Sequence, residues 1–213
     1  MKKKNKLSEE QQKFYDIKNF SDYKVVGEDI DYAIIIDDTK KEVILQFKES
    51  DSREDWKNNF DFLPKKISFF GKSVYTTRGY ARAYNSGRND FMFDFTNACV
   101  ANYDYKTVIR GWSFGSAMAK LSAIHFIELG FVLDELTTFG DVKCFLNPFL
   151  KLENVKQSRQ YVTPNDFVTW CVPFYSRTDK CKVGEKFSLK KIFKTEYYHT
   201  HYEEYDYNKY EKE

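Results

Sequence analysis

The stretch Lys106-Thr-Val-Ile-Arg-Gly-Trp-Ser-Phe-Gly-Ser-Ala-Met-Ala-Lys-Leu-Ser-Ala-Ile124 decides how this chain is read. It opens on a strand-forming run and closes on helix formers, and between them residues 111–115 have the form G-x-S-x-G. That pattern is a nucleophile elbow, in which a strand turns sharply into a helix and holds a serine hydroxyl out at the turn. Glycines are required two residues before and after the serine, because a Cβ there would be pressed into the neighbouring strand or helix. Ser113 is therefore the candidate nucleophile.

Working outward, the chain alternates helical and extended segments. Residues 7–20 predict a helix with Ser8 as N-cap and Leu7, Phe14, Ile17 and Phe20 on one face. Residues 32–36 and 43–47 predict strands joined by the polar turn Asp37-Asp-Thr-Lys-Lys41. A short helix is expected at 52–60 and a longer one at 78–100, interrupted near Ser86-Gly87. Strands follow at 107–110, 135–139, 159–163 and 186–189, with a helix at 144–152. Strands separated by helices predict an α/β fold, a mainly parallel central sheet with helices on both faces. With no internal repeat and no linker, 1–213 is read as a single domain.

Composition narrows the function. The 34 basic and 32 acidic residues are mixed along the chain, for a net charge of +2. No charge argument points to nucleic acid or an anionic membrane. The basic Met1-Lys-Lys-Lys-Asn-Lys6 runs into Leu7-Ser-Glu-Glu-Gln-Gln12 rather than an apolar stretch, so neither a secretory signal nor a transmembrane segment is expected and the location is read as cytoplasmic. Abundant Lys, Asn and Tyr read as the habit of an AT-rich bacterial, viral or phage genome. Cys99, Cys144, Cys171 and Cys181 have no zinc-module spacing and are read as reduced thiols, with no metal and no cofactor expected.

A serine hydroxyl needs a base to take its proton, and there are three histidines. His125 lies twelve residues beyond Ser113 on the same helix, about 18 Å along the axis. It shares a face with Phe114, Met118 and Leu121 and is read as a core residue, which leaves His199 and His201. The chain order of the fold is Ser, acid, His, and the acid follows a late strand. Asp166 in Thr163-Pro-Asn-Asp-Phe-Val168 fits, although Pro164-Asn165 would also suit a plain turn.

From about Tyr32 onward the chain resembles the class 3 lipases, the fungal-lipase-like branch of the α/β-hydrolases. The elbow and its helix are similar to that family's G-H-S-L-G-G-A-L-A-x-L-A-A. Phe47-Lys-Glu-Ser-Asp-Ser-Arg-Glu-Asp-Trp56 resembles F-R-G-[ST]-x-S-x-x-[DN]-W, Thr77-Arg-Gly-Tyr80 resembles H-x-G-[FY], and Thr138-Phe-Gly-Asp141 resembles T-F-G-[SD]. Thr163-Pro-Asn-Asp-Phe-Val168 with Val172-Pro173 is similar to the stretch that supplies the acid. Three departures stand out. Trp112 replaces the elbow histidine, Lys48-Glu49 replace Arg-Gly, and Val142 replaces a proline. A carboxylate at Glu49 would oppose a developing oxyanion unless it points to solvent.

The resemblance implies hydrolysis of carboxylic esters, including lipid esters, by a Ser-His-Asp triad through an acyl-enzyme. Ser50 and the backbone N–H of Phe114 would form the oxyanion hole. A histidine at a helix start with an aromatic one turn later resembles the family habit. Tyr205 so follows His201 and Tyr202 so follows His199, and His201 is chosen over His199. The lid position, 51–60, is mostly charged, with Trp56 and Phe60 its only large apolar groups, so a soluble or dispersed ester is expected rather than a triglyceride droplet. Phe145, Phe149, Trp170 and Phe174 are read either as an acyl pocket or as core. The competing functions are a thioesterase or amidase on the same fold, or a non-catalytic interaction protein.

Overall fold

The computed structural model describes residues 7–49, 61–147, 150, 152, 154–172, 174–179, 181–184, 188, 191, 194–207 and 211–212. In chain order the strands are β1 (Lys24–Val26), β2 (Ile30–Asp37), β3 (Glu42–Phe47), β4 (Pro64–Ser68), β5 (Ser73–Thr77), β6 (Lys106–Trp112), β7 (Leu133–Phe139), β8 (Val155–Val162), β9 (Cys181–Lys182) and β10 (Glu211–Lys212). The helices are α1 (Glu9–Asn19), α2 (Arg78–Ala101), α3 (Phe114–Glu128) and α4 (Thr195–Thr200).

Among the described residues eight strands form one sheet in the order β1-β2-β3-β6-β7-β8-β9-β10, and β4 and β5 make a separate hairpin. The pairings from β3 through β6, β7 and β8 to β9 are parallel, whereas β1–β2, β2–β3 and β9–β10 are antiparallel. Parallel strands need crossovers, which α2 and α3 provide. The result is the α/β-hydrolase architecture, parallel at its centre and antiparallel at its edges.

Register separates the two faces. Leu45, Ile109 and Leu136 lie in one row across the sheet and join Phe91, Phe95, Met118 and Leu121 in the main core, so α2 and α3 cover that face. Trp112, Phe139 and Tyr161 line up on the opposite face and pack with Phe14 of α1. Further down, this second face is charged. Lys13 of α1 meets Glu135 at 2.9 Å, and Glu10 meets Arg159 at 2.5 Å. Helix α1 starts at Glu9 because Ser8 caps it, its hydroxyl accepting from Gln11 N while the Gln11 side chain accepts from Ser8 N.

Several expectations change. Helix α2 runs unbroken through Ser86-Gly87: a Cβ at Gly87 would meet Val26 at 2.8 Å, so the glycine serves close packing. The helix expected at 144–152 is not formed at 144–147. Phe145 instead bridges Thr76 and Ser176 in extended pairing, which outweighs local propensity. The β4–β5 hairpin was not anticipated. The helix expected at 52–60 lies outside the described residues. So does most of the strand expected at 186–189, where only Ser188 is described and it belongs to no strand. All four cysteines are free. No helix among the described residues is long and apolar enough to cross a membrane.

Candidate active site

Strand β6 ends at Trp112 and α3 begins at Phe114, which leaves Ser113 alone on the corner at φ 55°, ψ −122°. Few non-glycine residues adopt such a backbone, and it costs about 1–3 kcal/mol. Two features hold it. Ser113 N–H donates to Phe139 O at 3.0 Å, and the glycines let the chain close up: a Cβ on Gly111 would strike the Gly115 carbonyl, and one on Gly115 would strike the carbonyls of Phe47 and Lys48.

The hydroxyl meets a base. His199 Nε2 lies 2.6 Å from Ser113 Oγ, and His199 Nδ1 lies 2.7 Å from Asp166 Oδ2. All three residues are buried. Asp166 sits just beyond β8 at the head of a 3-10 turn, Phe167–Trp170, and its other oxygen accepts from Val168 N at 3.1 Å. Tyr202 Oη donates to Asp166 Oδ2 at 3.1 Å and accepts from Thr163 N at 3.1 Å. Gly140 clears space for the imidazole, since a Cβ there would stand 2.8 Å from His199 Cε1.

The expectation of His201 is corrected here. Ser113 and Asp166 are brought together as expected, but with His199 between them. His201 lies past the end of α4, where Nδ1 faces Tyr197 O at 2.9 Å and the ring stacks on Tyr197 at 4.4 Å. In a helix, residues two apart point about 200° apart, so only one of the two could face the elbow. The signal for His199 was present in Tyr202, one turn on, which binds the acid.

Burial by itself would push His199 down, but the charge and hydrogen bond of Asp166, with Glu49 adding its charge, carry it above its ordinary value. His125 is half-buried, takes Tyr84 Oη at 3.0 Å, and burial with Arg88 nearby lowers it to about 4. This agrees with a core role. Ser50 and the 51–60 segment lie outside the described residues; Phe114 N–H, at the first position of α3, has no carbonyl partner within the helix ladder. The three of the four aromatics that are described have different surroundings. Phe145 belongs to the main core, Trp170 stands between Lys143 and Arg177 at 5.6 Å each, Phe174 is 89% exposed, and Phe149 is outside the described residues. Among the described residues no cluster of His, Cys, Asp or Glu could hold a metal ion.

An elbow serine, a histidine and a late aspartate on a parallel sheet define an α/β-hydrolase. The family model described as lipase (class 3) matches residues 44–176, and the chain belongs to that family. A curated relative, secreted mono- and diacylglycerol lipase 1 of Fusarium solani, is 29% identical over 108 residues, half of this chain and 32% of that protein. The solved Rhizomucor miehei lipase–propeptide complex aligns with TM-score 0.60 at 21% identity, over 74% of this chain and 53% of that one. A triacylglycerol lipase whose catalytic centre is described as a serine protease triad aligns with TM-score 0.63 at 21% identity, over 74% and 63%. The chain thus spans about a third of the curated relative and half to two thirds of these structures. That relative is described as secreted, so the expected cytoplasmic location has no support.

Proposed function

We propose that this chain is a serine esterase or lipase that hydrolyses carboxylic esters through an acyl-enzyme. The observation that carries the reading is the unbroken hydrogen-bond chain from Ser113 through His199 to Asp166, hung on a strained elbow. Ser113 Oγ attacks the ester carbonyl while His199 Nε2 takes its proton. Asp166 holds the Nδ1–H tautomer and stabilises the imidazolium. His199 then protonates the leaving alcohol, and water repeats the sequence to free the acid. The oxyanion is assigned to the backbone N–H of Phe114 and to Ser50, each such donor lowering the barrier by about 3 kcal/mol. The charged 51–60 segment favours soluble or dispersed esters of short or medium acyl chain over emulsified triglyceride.

The test is labelling with a fluorophosphonate, peptide mapping of the adduct, and hydrolysis of p-nitrophenyl butyrate. A single adduct on Ser113 together with turnover is expected. Absence of both would favour the non-catalytic interaction protein instead, and labelling with turnover only of thioesters or amides would move the leaving group.

A further inference from the structure

Helix α4 spans only six residues and carries His199 in its last turn, where carbonyls lack partners within the helix. Four of them nevertheless accept from side chains. Tyr197 O faces His201 Nδ1 at 2.9 Å, and Tyr198 O accepts from Tyr205 Oη at 3.2 Å. His199 O accepts from Trp112 Nε1 at 3.0 Å, and Thr200 O accepts from Lys18 Nζ at 2.6 Å. A helix this short has little stability of its own, so these contacts decide where its last turn sits.

Two of the four donors come from far away in sequence. Trp112 is the residue immediately before Ser113, so a single position on the elbow touches both the nucleophile and the backbone of its base. Lys18 belongs to α1, outside the segment that matches the family, and it also pairs with Glu203 at 2.9 Å. One turn earlier on α1, Phe14 stands 5.2 Å from the Trp112 ring and 5.6 Å from Tyr202, the tyrosine that binds Asp166. Trp112 is 2% exposed, so water cannot substitute for its N–H.

We propose that Trp112 and Lys18 are positioning residues for His199. The indole N–H and the ammonium close the end of α4 and hold the imidazole against Ser113, which makes α1 a working part of the catalytic apparatus rather than a cover on the sheet. This rests on the reading of Ser113 and His199 given above. Small displacements of a base are costly, since about 1 Å of misplacement can lower a rate by about a hundredfold.

The experiment compares the full chain with Trp112→Phe, Lys18→Met and Lys18→Arg. It reads fluorophosphonate labelling rate, kcat and KM for p-nitrophenyl butyrate, and thermal midpoint. Trp112→Phe keeps an aromatic ring but removes the donor along with part of the buried indole, so the thermal midpoint is read beside the rates. It should lower labelling rate and kcat together by about ten- to a hundredfold with KM within about twofold. Lys18→Met should lose several-fold in the same two quantities, and Lys18→Arg should restore them. Wild-type labelling and kcat in both Trp112→Phe and Lys18→Met, or losses matching only the unfolded fraction, would overturn the proposal while leaving the esterase reading intact. If Trp112→Phe does not fold, Lys18→Met against Lys18→Arg decides. A wild-type chain that neither labels nor turns over would remove the esterase reading and this one with it.

Discussion

Two aspartates at the same end of the sheet are fully buried, and they differ in what surrounds them. Asp141, just past β7, meets Lys120 Nζ at 2.8 Å and Arg177 Nε at 3.2 Å, and accepts from Thr138 Oγ1 at 2.8 Å. Asp166, just past β8, meets an imidazole, a phenol and a backbone N–H. Lys120 is itself fully buried and also donates to Val142 O at 2.6 Å. Asp141 is thus matched by cations, one of which never titrates in proteins, and its cluster ties α3 to the turn after β7. Asp166 is matched by a group that gains and loses a proton within the physiological range. A buried carboxylate becomes part of a chemical site through the ionisation of its neighbours, and burial alone does not distinguish the two.

The comparison breaks most visibly on activity. Ser113→Ala or His199→Ala should reduce p-nitrophenyl butyrate hydrolysis by about 10⁴-fold or more, with the circular dichroism spectrum unchanged. Asp166→Asn should lose about 10⁴-fold through the wrong histidine tautomer. Asp141→Asn should do the opposite. It takes the carboxylate partner from Lys120 and Arg177 in the interior, lowering stability by about 3–5 kcal/mol in denaturant unfolding while the folded fraction keeps most of its activity. Large activity loss in a fully folded Asp141→Asn protein would erase the distinction.

A smaller effect is expected in pH dependence. In the proposed mechanism His199 works as neutral imidazole, and its pKa in the folded chain lies above the ordinary value of about 6.5. kcat/KM should therefore rise with pH through a midpoint above about 6.5, and Glu49→Gln should move that midpoint down. The same raised pKa gives stability that is fully present below the unfolded value and is lost as pH rises through the folded one. Smallest of all is His201→Ala. Its ring caps a carbonyl at the outer end of α4, where water can replace it, so activity should stay within several-fold of wild type.

What was legible in the sequence follows the range of each constraint. The elbow could be read because strand, turn and helix are contiguous, and its glycines answer to contacts within a few residues or to the adjoining strand β3. Asp166 could be read because strand end and turn chemistry are local. The base is where the sequence reading fails, choosing His201 where the fold places His199, since the choice depends on partners 86 and 33 residues away in the chain. The segment matching the family holds Ser113 and Asp166 but stops before both histidines. Lys120 passed unnoticed for the same reason: a lysine on an apolar helix looks misplaced until Asp141 and Val142 are folded against it.

The backbone of Ser113 carries a further implication for how this position drifts under mutation. At φ 55° and ψ −122° a glycine would sit with less strain than serine, so a chain selected for stability alone would tend to lose the hydroxyl. Under the proposed mechanism, use of its hydroxyl is what retains serine at 113 against that strain. Copies released from that use should accumulate glycine there before they lose the elbow glycines on either side, whose absent side chains the packing of the turn still requires.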